Sequence, residues 1–99
     1  MLQPKFIITS EGCLRLGMVD MHKELLQPGD HCLGGGYYEF DYISGRLLLS
    51  GRSYDYGAPQ WSELEELRVP AAYEGLDIVW APRPDSQFAL RDILKIRYF

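Results

Sequence analysis

The chain contains no asparagine, so it has no N-glycosylation acceptor. Its two cysteines, Cys13 and Cys32, are too few for a disulfide-dense secreted scaffold. No apolar run approaches the roughly 18–20 residues of a membrane helix. Only three apolar residues, Phe6 to Ile8, follow the opening Met1–Lys5 before Thr9 and Ser10, which is not the pattern of a secretory signal. Basic charge is also scarce: ten Lys and Arg face fourteen Asp and Glu, a net charge of −4 and a pI near 5.0. The basic residues are scattered, and their closest grouping is Lys95 with Arg97. Nucleic-acid binding draws on phosphate neutralisation by clustered basic groups and is disfavoured here. These absences lead to the expectation of a reduced, cytoplasmic protein with no cofactor and no membrane association. Its partner is expected to be a protein, a second copy of the chain, or a small molecule.

At 99 residues and 46% apolar composition, the sequence is expected to form one domain spanning residues 1–99. Surface scaling gives a folded area of about 5,800 Å² against about 16,500 Å² unfolded. A core of that size needs no metal or disulfide to hold it.

Period-2 alternation dominates the chain. Phe6 and Ile8 alternate with Lys5, Ile7 and Thr9; Leu14, Leu16 and Met18 alternate with Cys13, Arg15 and Gly17. Between them, Ser10-Glu11-Gly12 reads as a hairpin loop with glycine where positive φ is needed. The register that keeps apolar residues together sets Ile8 opposite Leu14 and Phe6 opposite Leu16. A second hairpin turns at Ser44-Gly45. A two-residue turn there pairs Tyr42 with Leu47 and Phe40 with Leu49, and Tyr38 with Gly51. Those residues are expected in the core, with Tyr37, Glu39, Asp41, Leu48, Ser50 and Arg52 on a polar-aromatic outer face.

Helical signals are short. Asp20–Gln27 offers one or two turns, and Pro70–Gly75 another. Ser62 and Glu65 have capping-box spacing, which predicts a helix running to about Arg68 and burying Trp61, Leu64 and Leu67 on one side. Leu76, Ile78 and Trp80 predict a strand that Pro82 ends, and Leu94, Ile96 and Tyr98 a final one. Residues 86–93 fit helix and strand equally. The expected class is α+β: a mostly antiparallel sheet of about six strands, including two N-terminal hairpins, with one or two short helices, or a partly open β-roll.

Candidate chemistry is sparse. Cys13, His22, His31 and Cys32 are spaced nine, nine and one residues apart, which does not match structural zinc, so no metal site is expected. The ordinary role for these residues is two surface histidines and a buried or loop cysteine. Asp30, His31 and Cys32 beside Gly34-Gly35-Gly36 could form a nucleophile–base pair near a backbone nest, as in a small hydrolase or transferase. The glycines lack a dinucleotide or phosphate-loop signature, and a bulge or tight strand entry accounts for them more simply. The second candidate is the group Tyr37, Arg52, Tyr54, Tyr56 and Trp61, whose residue types build binding hot spots. It could instead be an aromatic minicore. The leading expectation is a non-enzymatic binding or assembly domain, a homodimer, using the polar-aromatic face or an exposed strand edge.

Overall fold

The computed structural model describes residues 1–51 and 56–99. Its surface of 6070 Å² agrees with the area expected from chain length. The first hairpin joins β1 (Gln3–Thr9) to β2 (Leu14–Val19). Phe6 pairs with Leu16 and Ile8 with Leu14, the register anticipated from the apolar alternation. Gly12 sits at φ 86° in the loop, and a Cβ there would stand 2.5 Å from the Glu66 carbonyl oxygen. Both the conformation and the close approach require glycine.

The second hairpin joins β3 (Cys32–Asp41) to β4 (Arg46–Ser50). Its loop is four residues long: Asp41 pairs with Arg46, Phe40 with Leu47, and Tyr38 with Leu49. The expected two-residue turn would have required positive φ at Ser44 as well as Gly45. Gly45 alone adopts it, at 68°, while the Asp41 carboxylate accepts from the Ser44 backbone N–H at 3.2 Å and pairs with Arg46. Each partner moves by two residues, so the faces are kept. Leu47 and Leu49 are buried, Phe40 and Tyr38 half-buried, but Tyr42 is lifted off the sheet and is 79% exposed. Its expected place in the core is therefore corrected.

The third hairpin joins β6 (Asp77–Arg83) to β7 (Ser86–Ala89). The ambiguous 86–93 stretch resolves into β7 and a 3-10 turn at Leu90–Asp92. The strand runs through Pro82 to Arg83, and Pro82 lies where the ladder register is irregular. β4 and β6 lie parallel, Leu47 beside Ile78 and Leu49 beside Trp80. The six-stranded sheet, in order β2-β1-β3-β4-β6-β7, is thus mixed and not purely antiparallel.

The connection from β4 to β6 carries β5 (Glu66–Val69), which pairs in parallel with β8 (Lys95–Tyr98) as a second sheet. The helix expected from Ser62 is absent. A 3-10 turn covers Trp61–Glu63, without a side-chain cap, and the chain then extends. Leu67 and Val69 are buried while Arg68 is exposed, a strand pattern, and the Arg68 N–H donates to the Gly12 carbonyl at 2.8 Å. Pairing with β8 and the bridge from Arg68 to Cys13 outweigh a weak local helix propensity. The other two helical expectations reduce to 3-10 turns at His22–Leu25 and Ala71–Tyr73. Helical structure among the described residues is confined to such turns, so the α+β label gives way to a small sheet-rich domain. Among the described residues, no helix is long and apolar enough to cross a membrane.

The core lies between the two sheets. Phe6, Ile8, Leu14, Leu47, Leu49, Ile78 and Trp80 contribute from the larger sheet, and Leu67 and Val69 from the smaller. Trp61 packs edge-on against Trp80 with ring centroids 5.3 Å apart. The opposite face of β1 is closed as well: Lys5, Ile7 and Thr9 are buried there. The His22–Leu25 turn packs against β1 and β2.

Candidate functional site: an unguarded strand edge

The glycine run lies within β3, beside the central strand β1. Gly36 pairs with Phe6, Gly35 with Ile7 and Gly34 with Ile8, and the register shifts between Gly34 and Cys32, so the three glycines themselves stay in register. Each glycine also admits a close neighbour. A Cβ at Gly34 would stand 2.6 Å from the Pro59 backbone, and one at Gly35 2.8 Å from the Phe6 carbonyl oxygen. The Gly35 N–H donates to the Gly57 carbonyl at 3.1 Å, so this amide points at protein and is not open for an anion.

Asp30 and Cys32 each engage groups other than one another. The Asp30 carboxylate pairs with Arg15 and accepts the Gln27 N–H, contacts that hold its pKa below the usual value. His31 is exposed. The half-buried Cys32 thiol donates to the Gly34 carbonyl at 3.3 Å, and burial pushes its pKa up. A nucleophilic cysteine needs the opposite shift. Cys13 and Cys32 are both free thiols, and no group of three or more metal-ligating side chains occurs among the described residues.

The aromatic group divides. Tyr37 and Tyr56 come together, but around His22: both rings meet the imidazole edge-on, at 5.7 and 5.8 Å. His22 was expected at the surface and is instead 1% exposed, its Nε2–H donating to the Gly36 carbonyl at 2.8 Å. A buried polar ring must be hydrogen-bonded, and the side-chain-free Gly35–Gly36 segment lets it reach the strand. Trp61 sits across the sheet in the core, 7% exposed, and is not available as a surface contact. Arg52 and Tyr54 lie outside the described residues.

What the fold leaves open is the β2 edge. β2 ends the six-stranded sheet, and only its approach at Cys13 bridges to Arg68 of β5. The strand reads Leu-Arg-Leu-Gly-Met-Val, and its single charge, Arg15, is folded back onto Asp30 and the Leu25 carbonyl. Large apolar groups surround this edge: Met18 is 56% exposed, Leu2 63% and Met21 43%. Two other edges are protected. β8 carries exposed Lys95 and Arg97, and β7 is four residues long and follows Pro82 and Pro84. Sequence patterning did not single out Met18 or Leu2, because which strand ends a sheet is settled by long-range pairing. Comparisons with protein-family models, with curated proteins and with solved structures find no match to this chain.

Proposed function

We propose that the domain is a binding and assembly module that joins a second copy of itself through β2. The observation that carries this reading is an edge strand with Met18 exposed on it, Leu2 and Met21 exposed near its end, and its one charge, Arg15, paired with Asp30. Such an edge presents unpaired N–H and C=O groups and is a template for strand addition. Antiparallel pairing of β2 with its own copy about Gly17 sets Leu16 of one copy beside Met18 of the other. That register keeps both apolar faces on the same side of a continuous sheet, the condition that normally fixes register. The contact is isologous and closes as a two-fold dimer. Leu2 and Met21 flank the joint and extend it toward the roughly 800 Å² per partner of a standard interface. Methionine suits such a surface because its side chain adapts to what it meets. The two free thiols fit a reducing compartment such as the cytoplasm.

The enzyme alternative at Asp30, His31 and Cys32 draws no support from the geometry, since the carboxylate and the thiol are each engaged elsewhere. Light scattering at micromolar concentration tests the proposal. The wild-type chain is expected at about twice its 11.4 kDa mass. Met18→Lys, which places a charge on the edge, is expected at the single-chain mass with its fold intact. A wild-type monomer, or a dimer unaffected by Met18→Lys, contradicts the proposal.

A further inference from the structure

A cavity of about 370 Å³ opens where the turns at Gly45 and Gly75 meet the start of β6 and the end of β8. Its floor is apolar, formed by Leu76, Ile78 and Ile96. Both turn glycines have positive φ, 68° and 95°, and a Cβ built on either would meet nothing within 4 Å. Neither turn residue fills the opening with a side chain, and space is left for a guest.

The charged groups lining it are Asp77 and the more exposed Arg91, with the Tyr98 hydroxyl beside them. The Tyr98 hydroxyl donates to the Leu76 carbonyl at 3.5 Å, a slack hydrogen bond. Asp77 Oδ1 stands 3.5 Å from Arg91 Nη1, and the Arg91 side chain is 69% exposed. A guanidinium held by one long, solvated contact is weakly committed. Burial, and then the carboxylates of Glu74 and Asp77, push the Tyr98 phenol up, so its hydroxyl stands in a negative field.

We infer that this cavity binds a protonated primary amine on a short unbranched aliphatic stem. The ammonium lies between the Asp77 carboxylate and the Tyr98 hydroxyl, and the stem covers Leu76, Ile78 and Ile96. An ammonium has three donors and a compact charge, which matches convergent acceptors above an apolar floor. A carboxylate guest would meet the less exposed Asp77 as a like charge and could pair only with the largely solvated Arg91. Arg91 is an internal competitor for Asp77 and swings into solvent when the amine enters. The inference is independent of self-association, because three strands separate β6 from β2 in the strand order.

An NMR titration of the full chain tests it, with n-butylammonium chloride, sodium butyrate at matched ionic strength, and lysine blocked at both ends. Butylammonium is expected to shift the amides of Leu76, Ile78, Ile96 and Tyr98 and to saturate with a Kd on the order of 1 mM. Asp77→Asn is expected to weaken binding about tenfold or more. Arg91→Ala, by removing the competitor, is expected to tighten it. Stronger binding of blocked lysine assigns the site to a peptide side chain, and equal binding assigns it to a free amine; both agree with the inference. Saturation by butyrate at these amides overturns it, as does an unsaturated butylammonium titration in the wild-type chain. Weaker amine binding in Arg91→Ala also overturns it, and that variant decides the matter even if Asp77→Asn does not fold.

Discussion

Gly36→Ala tests whether strand packing, and not a ligand-binding nest, explains the glycine run. A Cβ at Gly36 would stand 1.9 Å from the Ser50 carbonyl oxygen, 3.1 Å from the Ser50 carbonyl carbon and 2.9 Å from a Phe6 ring carbon. The first two are backbone atoms of β4 and cannot rotate away, so β3 and β4 must separate locally. Forcing a methyl into a packed interior typically costs about 1–3 kcal/mol. A ladder hydrogen bond lost in the separation adds about 1 kcal/mol. The expected destabilisation is about 2–4 kcal/mol, a large part of the roughly 5–15 kcal/mol that holds a small domain. Gly57→Ala is the matched control, since nothing lies within 4 Å of its Cβ and its φ is not positive. It is expected to stay within about 0.5 kcal/mol of wild type. Urea denaturation followed by circular dichroism measures both. Equal stabilities for Gly36→Ala and wild type would refute the close-approach account of the run.

Two further predictions concern titrating groups. Cys32 is expected to alkylate more slowly than free cysteine at neutral pH, because burial keeps its thiol protonated; rapid labelling in a mass-spectrometric time course would contradict this. The Asp30 carboxyl is lowered first by Arg15 and then by the Gln27 N–H. A depressed carboxyl stabilises the fold above its unfolded pKa, and that stability is lost as pH falls through the folded value. Asp30→Asn is therefore expected to flatten the acid limb of the stability–pH curve while changing little of its slope above neutrality, as read from thermal midpoints.

Local and tertiary information divide unequally along this chain. The first hairpin was legible to the residue, because apolar alternation and a glycine at positive φ fix its register within a few positions. In the second, the faces were legible but the loop was not. Ser44-Gly45 looks like a two-residue turn, yet a serine at positive φ is costly and Asp41 offers a better loop. β5 was mistaken for a helix because Ser62–Glu65 mimics a capping box, while the strand partner that decides the matter, β8, lies some thirty residues away. The parallel neighbours β4 and β6 have the same origin. Long-range pairing also set the site. Tyr37 and Tyr56 both pack on one ring, but that ring, His22, is a single polar residue whose burial depends on how the 20–31 segment folds back. Trp61 satisfies the residue-type rule for a binding hot spot and equally the rule for a core, and its packing on Trp80 chose the core. The β2 edge has an ordinary strand sequence and becomes distinctive only because, among the described residues, no strand except β1 pairs along it.

The central claim is that this edge pairs with another copy of itself. Backbone amide exchange measured across a range of protein concentrations tests it at residue level. Edge amides of β2 between Arg15 and Val19 are expected to exchange quickly at low concentration and to gain protection as concentration rises, while the guarded β8 edge stays unchanged. Fast, concentration-independent exchange along β2, with protection appearing at no edge or at β8 instead, would contradict the account.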